Sequence, residues 1–201
     1  MDFDQTQRAA ADFQAHLARF LAFGHDRLQA VRFVAETAGP GSGPALDIGT
    51  GKGLFAIELA LAGWQVTSID TNSADQQIAN LRAQQAGVAS LVRTVTGDAA
   101  HLPFESASFA LVAMMDVLHH LERDEPVFTE MARVLAPGGR LLIADFDQEG
   151  FDLAARIHRA EGREHPVGPV TMEIARARFA AAGLSKIAHR RGMLHQIVVF
   201  G

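Results

Sequence analysis

The chain of 201 residues contains no cysteine. The protein therefore cannot form a disulfide, use a thiolate nucleophile or bind a metal through sulfur. Hydrophobic residues make up 48% and charged residues 20% of the chain, which is an ordinary globular balance. At this length one domain can bury a sizeable core without covalent cross-links.

The sequence also has no long hydrophobic run. The apolar segment from Phe109 to Met115 is far too short to span a bilayer, which predicts no membrane partner. The first thirty residues lack a charged segment followed by an apolar one, so we expect no signal peptide. The expected compartment is the cytoplasm.

Positive charge is scarce, since the net charge is −5. A non-specific nucleic-acid binder would normally carry an excess of Lys and Arg, so nucleic acid is not an expected partner. The charge is unevenly spread: residues 1–150 hold 10 basic and 19 acidic side chains, whereas residues 151–201 hold 8 and 4. The basic segment either faces an anionic substrate or forms a solvated surface.

Apolar spacing predicts two helices between about Asp4 and Ala38, with a break near Phe23–Asp26. Residues 39–44 are rich in glycine and proline and form a linker. Strands then alternate with helices, which indicates βαβ units and a parallel sheet. The predicted strands are Ala45–Ile48, Gln65–Asp70, Leu91–Thr96, Ala110–Met115, Arg140–Asp145, Lys186–His189 and Gln196–Phe200, and the predicted helices are Leu54–Ala62, Ser73–Ala86, Asp124–Leu135, Phe151–Glu161 and Thr171–Ala182.

A glycine-rich segment, L-D-I-G-T-G-K-G at residues 46–53, lies between the first strand and the next helix. Nucleotide-like ligands bind at such junctions in open α/β sheets. A phosphate-binding P-loop is excluded because Lys52 is not followed by Ser or Thr and position 46 is Leu. A dinucleotide fingerprint would need glycine at position 54, which is also Leu. The remaining pattern is an acid followed by alternating glycines, Asp47, Gly49, Gly51 and Gly53.

Three further motifs and one acid follow in order. Asp70 ends the second strand, where its carboxylate can accept hydrogen bonds from both ribose hydroxyls of an adenosine ligand. Alternatively, Asp70, Thr71, Asn72 or Ser73 caps the next helix. The motifs are G-D-A-A-H-L-P-F at 97–104, S-F-A-L-V-A-M-M-D-V-L-H-H-L at 108–121 and R-V-L-A-P-G-G-R-L-L-I-A-D at 133–145.

Together these motifs, from about Leu46 to Asp145, resemble class I S-adenosylmethionine-dependent methyltransferases, in particular the small type 11 methyltransferase group. The resemblance implies a doubly wound α/β fold with a mostly parallel seven-stranded sheet, whose last strand runs antiparallel beside the fifth. It also implies one domain: an N-terminal helical cap and linker (1–42) over the cofactor cleft, a cofactor-binding core (45–145) and a substrate-side segment (146–201).

The implied cofactor is S-adenosylmethionine, with S-adenosylhomocysteine as the product, and the implied reaction is methyl transfer to oxygen, nitrogen or carbon of a small molecule. In the family, the acid at Asp98 accepts from the adenine amino group and the N–H at Ala99 meets a ring nitrogen. Lys52 is an unusual residue for this loop, and it either holds the methionine carboxylate or faces solvent. The implied cofactor residues are Asp47, Gly49, Thr50, Gly51, Gly53, Asp70, Thr71, Asp98, Ala99, Met114 and Met115.

In-line methyl transfer depends mainly on positioning, and a base is needed only if the acceptor must lose a proton. Asp116, His119 and His120 follow the fourth strand and are expected at the cleft. We take Asp116 and His119 as candidate catalytic residues. Either His119 or His120 is a candidate general base, because a histidine's ordinary pKa suits that role. The alternative is that one histidine packs on the next helix and the other faces solvent.

The segment H-R-A-E-G-R-E-H holds His158, Glu161 and His165, which would share one helix face if the helix continued through Gly162. A divalent-metal site formed with Asp145 and Asp147 is conceivable, but we predict no metal and favour a substrate pocket. The predicted substrate residues are His120, Asp147, His158, Arg163 and His165.

Three other functions remain open at this point. An adenosyl-ligand-binding or regulatory protein would keep the cofactor residues without methyl transfer, since a fold does not fix a function. A nicotinamide oxidoreductase is disfavoured by Leu54. Methylation of RNA or protein is disfavoured by the acidic charge.

Overall fold

The computed structural model describes residues 3–201 of the chain. Its seven helices and seven strands alternate through the central part of the chain, with short 3-10 turns at Ala89–Leu91 and Leu118–His120. The helices are α1 (Phe3–Ala22), α2 (Arg27–Ala38), α3 (Leu54–Leu61), α4 (Ser73–Gln85), α5 (Glu125–Val134), α6 (Gln148–Ala160) and α7 (Met172–Ala181). The strands are β1 (Pro44–Ile48), β2 (Gln65–Asp70), β3 (Val92–Thr96), β4 (Phe109–Met115), β5 (Leu135–Phe146), β6 (Lys186–Gly192) and β7 (His195–Phe200).

The strands form one sheet in the order β3-β2-β1-β4-β5-β7-β6. The first five strands are parallel, and β7 runs antiparallel between β5 and β6. The predicted doubly wound fold, with its antiparallel last strand beside the fifth, is therefore confirmed. The order reverses between β1 and β4, and ligands of open α/β sheets bind outside the carboxyl ends of the strands at such a switch point.

Two strand boundaries differ from the prediction by more than one residue. β5 begins at Leu135 instead of Arg140, because the chain around the Pro-Gly-Gly turn already pairs with β4, with a shift in register there. β6 extends to Gly192, because Met193 and Leu194 both adopt positive φ and form a tight hairpin turn into β7. Neither residue type signals such a turn in the sequence.

Buried apolar side chains cover both faces of the sheet, as expected for parallel strands flanked by helices. Successive residues of a strand point to opposite faces. Thus Met115 of β4 packs on the side of α2 and α3, whereas Met114 packs on the side of α5 and α7. Only one of these two neighbouring methionines can therefore face a ligand that binds on a given side of the sheet.

The N-terminal helices lie over the carboxyl edge of the sheet. Phe20 of α1 packs with Phe146, Leu153 and Ile157, which joins α1 to α6. Phe13 of α1 lines the cleft described below, as do two residues of α2. Both N-terminal helices therefore contribute side chains to the wall of the cleft. Among residues 3–201, no helix is both long and apolar enough to cross a membrane.

Candidate functional site

A cleft of about 590 Å³ opens at the carboxyl ends of β1, β2 and β4. This volume lies within the usual range of small-molecule and cofactor sites. The cleft walls combine polar backbone, carboxylates and apolar side chains. The predicted cofactor residues in its lining are Gly49, Thr50, Gly51, Asp70, Thr71, Asp98, Ala99 and Met115.

The turn after β1 requires glycine at both of its ends, because the backbone there is left-handed and a side chain would clash with its neighbours. Gly49 has φ 84°, and a Cβ there would lie 2.1 Å from Cγ2 of Val117. Gly53 is the N-cap of α3 and adopts the left-handed conformation, and a Cβ there would lie 2.8 Å from Cβ of Ala79. Gly51 has φ 46°, but a Cβ there would meet nothing within 4 Å among the atoms described. The turn is thus packed at both ends and open at its tip.

Asp70 connects this turn to the end of β2. Its Oδ2 accepts a hydrogen bond from the Gly51 N–H at 2.8 Å, and its Oδ1 accepts from the Asn72 N–H at 2.8 Å. Asn72 caps α4 by accepting from the N–H groups of Ala74 and Asp75, so Asp70 is not the cap. Asp70 is free to present its remaining lone pairs to the cleft.

Asp47 lies beneath the turn, outside the lining of the cleft, and is only 1% exposed. Its Oδ2 accepts from the Ser68 hydroxyl at 2.5 Å, and that hydroxyl lies 2.7 Å from the Thr50 hydroxyl. Oδ1 has no hydrogen-bond partner within residues 3–201. Burial raises the pKa of Asp47 to about 7, although the Ser68 hydrogen bond opposes this shift.

The other predicted cofactor residues divide into two groups. Asp98 and Ala99 lie at the rim, where the exposed Asp98 accepts from the Ala100 N–H at 2.9 Å. Gly53 and Met114 lie outside the lining, because Gly53 packs on α4 and Met114 faces the opposite side of the sheet. For Met114, the alternation of strand side chains already allowed only one of two neighbouring methionines to face the cleft.

Lys52 forms an ion pair with Asp75 at 3.0 Å. Its Nζ also lies 5.5 Å from the centre of the Phe13 ring, within reach of a cation–π contact. The side chain therefore connects the glycine turn to α4 and α1.

Asp116 lies at the end of β4 and lines the cleft with an unusual φ of 56°. Its carboxylate accepts from Arg27 Nη2 at 2.6 Å and lies 3.0 Å from His195 Nε2. Burial works to raise the pKa of Asp116, but Arg27 and His195 outweigh it, and the pKa is held far below its ordinary value. An acid this strongly ionised is a poor proton acceptor at neutral pH, which argues against a general-base role for Asp116.

Sequence analysis identified neither Arg27 nor His195 as a site residue. Arg27 begins α2, and its guanidinium lies 5.0 Å from the centre of the Phe146 ring. No local motif marks either residue, because both meet Asp116 only after α2 and β7 have packed at the same edge of the sheet. Arg27 and Asp116, for example, are 89 positions apart in the chain.

His119 is buried and forms a dyad with Asp145. Its Nδ1 lies 2.7 Å from Asp145 Oδ1, and its backbone N–H donates to Asp145 Oδ2 at 3.0 Å. Its Nε2 is buried without a partner in the described part of the chain. His120, by contrast, lines the cleft and is exposed. The cleft wall nevertheless desolvates part of the ring, and this desolvation is the main cause that lowers the pKa of His120.

A second cavity of about 180 Å³ adjoins the cleft, and we call it the histidine cavity. It shares part of its wall with the cleft, through Phe13, Arg27, Leu54, Asp116 and His120. The remaining lining is His16, Leu17, Phe20, His119, Phe146, Ala154, His158 and His165. Nδ1 of His165 lies 2.9 Å from Nδ1 of His158. Burial lowers the pKa of His165 to about 4 and also lowers that of His158.

Glu161 does not join these histidines on a helix face. α6 ends at Ala160, and Gly162 turns the chain with φ 70°, so His165 reaches His158 by a loop. The Glu161 carboxylate instead bonds to His16 at 2.8 Å, to Arg19 at 2.5 Å and to Arg163. The condition of a helix continuing through Gly162 is therefore not met.

Two predicted substrate residues lie away from the histidine cavity. Asp147 accepts from the Gly150 N–H at 2.9 Å and caps α6, which also explains why α6 begins at Gln148. Arg163 is exposed, and its guanidinium forms an ion pair with the Glu161 carboxylate. His120, His158 and His165 do line the cavity, as a substrate role requires.

The geometry agrees with comparisons to known proteins. Residues 46–143 match a family described as methyltransferase domain. The 27-O-demethylrifamycin SV methyltransferase of Amycolatopsis mediterranei is 37% identical over 144 residues, covering 69% of this chain and 53% of that protein. The demethylmenaquinone methyltransferase of Deinococcus radiodurans is 34% identical over 144 residues, covering 71% and 59%.

A crystal structure of a protein from Pyrococcus horikoshii OT3 shares the fold with a TM-score of 0.72. The two chains are 20% identical, and the match covers 87% of this chain and 89% of the other. The chain spans about half the length of the curated relatives that it matches.

Proposed function

We propose that the chain, whose residues 46–143 match the methyltransferase domain family, binds S-adenosylmethionine and methylates a small molecule. The binding site is the cleft at the carboxyl ends of β1, β2 and β4. The acceptor binds in the adjoining histidine cavity. The two named relatives methylate a rifamycin and a demethylmenaquinone, which supports a small-molecule acceptor.

The observation that carries the proposal is the contact between the glycine turn and Asp70. The Gly51 N–H donates to Asp70 Oδ2, which fixes an acid of β2 beside a turn whose tip has open space. A fixed carboxylate of this kind can accept hydrogen bonds from a pair of neighbouring hydroxyls, as a ribose offers. The arrangement therefore suits an adenosine group.

The residues present also fit the rest of this cofactor. Ile48, Ile69 and Ala99 give the cleft an apolar wall for an adenine ring, and Asp98 lies at its rim. Beneath the turn, the buried Oδ1 of Asp47 has no hydrogen-bond partner among residues 3–201. S-adenosylmethionine, when bound, supplies a methyl group on a sulfonium sulfur and leaves as S-adenosylhomocysteine.

The contribution of the protein is mainly to position the acceptor and exclude water. Phe13, Phe20 and Phe146 enclose the histidine cavity. A volume of about 180 Å³ is smaller than typical drug-sized sites, so the cavity suits a small acceptor or the reactive end of a larger one.

Where the acceptor must lose a proton, His119 is the residue placed to take it. Asp145 receives the Nδ1–H and so leaves Nε2 unprotonated, which is the arrangement of a histidine base oriented by an acid. Asp116 does not serve as this base, because Arg27 and His195 keep its carboxylate ionised. We assign Asp116 a positioning role.

The test is a calorimetric titration of the purified protein with S-adenosylmethionine, S-adenosylhomocysteine and NAD, beside an Asp70→Asn variant. We expect binding of both adenosyl compounds, weakened roughly 10–100-fold in Asp70→Asn because charge-assisted hydrogen bonds are lost. Asp152→Asn on the exposed side of α6 is the matched control, with unchanged affinity expected.

Each rival function predicts a different result. Binding of NAD in place of the adenosyl compounds would support an oxidoreductase. Adenosyl binding without methyl release from any member of a panel of small hydroxyl, amine and quinol acceptors would favour an adenosyl-binding regulatory protein. Equal affinity in Asp70→Asn would show that the assigned site is wrong.

A further inference from the structure

We propose that the outer edge of β6 binds an acidic, extended polypeptide segment of a partner protein as an additional strand of the sheet. The basic edge, as we call this surface, consists of Lys186, His189, Arg190 and Arg191 of β6 together with Arg176 of α7. None of these residues lines the cleft or the histidine cavity, so the proposal does not depend on methyl transfer.

β6 is the open edge of the sheet. It stands last in the strand order, so one of its sides has no neighbouring strand within residues 3–201. Five of its seven residues are exposed, whereas only two of the five residues of β3, the strand at the other end of the sheet, are exposed. The free N–H and C=O groups of such an edge can pair with another polypeptide.

The same edge carries positive charge that the protein does not neutralise. Within residues 3–201, none of the four full cations of the basic edge forms an ion pair with a carboxylate. These cations are Arg176, Lys186, Arg190 and Arg191. β3 has a single charged residue, Arg93. The two edges of the sheet therefore differ in charge as well as in exposure.

The cations lie on both faces of β6, because successive residues of a strand point to opposite sides. On the side of α2, the Arg190 guanidinium lies 4.3 Å from the centre of the Phe33 ring. On the side of α7, Nη2 of Arg176 donates to Nε2 of His189 at 3.1 Å. A strand added beside β6 would thus meet positive charge on both of its own faces.

His189 reports the local excess of positive charge. Desolvation by neighbouring atoms, and after it the nearby charges, lower the pKa of this ring. Those charges are Arg176, Arg191 and Lys186, all of one sign. An uncompensated positive region attracts an anionic partner. It also accounts for the basic character of residues 151–201, for which the proposed methyl transfer supplies no role.

The chemistry of the edge selects the class of partner. A second copy of this chain is disfavoured, because β6 beside β6 would place like charges opposite each other. A nucleic acid supplies negative charge but no backbone groups that continue a sheet. An extended acidic segment supplies both, with carboxylates on its alternate faces and N–H and C=O groups along its edge. Ile187 of β6 is 56% exposed and offers one apolar contact to such a segment.

Neighbouring acids limit how far an acidic segment can extend. Arg191 also lines a groove of about 540 Å³, and the wall of this groove contains Glu149 and Glu173. Their negative charges would repel further carboxylates beyond Arg191. We therefore expect the acidic residues of the partner to lie opposite 186–191.

The experiment measures the binding of a fluorescently labelled seven-residue peptide of Glu, Val and Thr, equal to β6 in length, to the full chain by anisotropy. We expect saturable binding that weakens as salt is added. Two matched peptides separate charge from strand pairing. One carries Gln in place of Glu, and the other keeps Glu but is methylated on its backbone nitrogens. Each should bind roughly tenfold or more weakly.

Variants of the chain locate the binding. Arg191→Glu reverses an exposed charge of the basic edge and should weaken binding of the acidic peptide roughly tenfold or more. Lys186→Gln removes a charge at the other end of β6 and should also weaken it. Arg93→Glu is the matched control, since it makes the same reversal on an exposed residue of β3, and its affinity should equal that of the parent. Circular dichroism checks that each variant is folded.

Four results would overturn the proposal. These are an absence of saturable binding, equal affinity for the methylated peptide, equal loss in Arg93→Glu, and tighter binding of a single-stranded oligonucleotide of the same charge as the peptide. The second would mean that charge acts without strand pairing. Titration with S-adenosylmethionine is independent of these measurements, so failure of one proposal does not imply failure of the other.

Discussion

The cleft takes its polar groups from turns that directly follow neighbouring strands, whereas the histidine cavity draws on segments far apart in the chain. Gly51 and Asp70, which meet in the cleft, are separated by 19 residues. His16 and Glu161, which meet beside the cavity, are separated by 145 residues. The first region is therefore fixed by the βαβ pattern, and the second by the packing of α1 and α6 at the sheet edge.

The two regions also differ in how their acids respond to pH. Beneath the cleft, Asp47 is buried with one partner, and its pKa is raised to about 7. Beside the cavity, Glu161 is bonded to three cationic groups or hydrogen-bond donors, and its pKa is lowered to about 2. An acid with a raised pKa destabilises the folded state as pH increases, and one with a lowered pKa stabilises it. The comparison is open to test by substitution.

The largest effect is expected from Gly49→Ala in the cleft. The new Cβ would overlap Val117 at 2.1 Å while the residue keeps φ 84°. Left-handed strain and overpacking together should lower the free energy of unfolding by about 2–5 kcal/mol. Binding of the adenosyl compounds should be lost at the same time. Urea unfolding and calorimetry measure the two effects.

Gly87→Ala separates the two causes of this loss. Gly87 has a similar φ of 74° but would meet nothing within 4 Å among the described atoms, so it reports the strain alone, about 1–2 kcal/mol. Equal losses in the two variants would show that contact with Val117 does not restrict the turn.

The next effect concerns the buried acid of the cleft. The folded protein keeps a proton on Asp47 that the unfolded chain releases near pH 3.8, so stability falls as pH rises from about 4 to 7. Asp47→Asn keeps an acceptor for Ser68 and cannot ionise. It should therefore be more stable than the parent by about 2–4 kcal/mol at pH 8, and similar to it at pH 4.

Urea unfolding at both pH values checks this prediction, with Asp152→Asn as the control for a change of charge. A gain that is the same at pH 4 and pH 8 would contradict the assignment of the raised pKa to Asp47.

The smallest effect is expected beside the histidine cavity, in Glu161→Gln. Burial alone would raise the pKa of Glu161, but the contacts with Arg163, His16 and Arg19 outweigh it and lower the pKa from 4.5 to about 2. The stabilisation is complete above pH 4.5 and is lost as pH falls toward 2. At pH 7 the variant should lose about 0.5–1 kcal/mol, as expected for ion pairs near the surface.

The difference between Glu161→Gln and the parent should shrink as pH is lowered from 5 to 3, in thermal unfolding followed by circular dichroism. Glu173→Gln, an exposed acid of α7, should show no such trend. A difference independent of pH would mean that packing, and not charge, gives Glu161 its effect.

Sequence patterns predicted most of the fold and the cofactor side of the site. The order of elements, the antiparallel β7 and the covering helices were all predicted, as was the glycine turn with Asp70. These features depend on short spacings, since a glycine turn and the acid that ends the next strand meet at the same edge of any parallel sheet. The errors in this region concern side-chain direction, as for Met114, and burial, as for Asp47.

Only the tertiary structure decided the histidine side. The sequence indicated His158 and His165 through a helix that in fact ends at Ala160, and it gave no sign that Arg27 and His195 would hold Asp116. It also could not show that His119 keeps a buried, unpartnered Nε2 beside His165. Hydrophobic periodicity and glycine spacing are local properties and determine which strands and turns form. Contacts between distant polar side chains depend instead on how α1, α2, α6 and β7 pack, and packing is settled by the whole core.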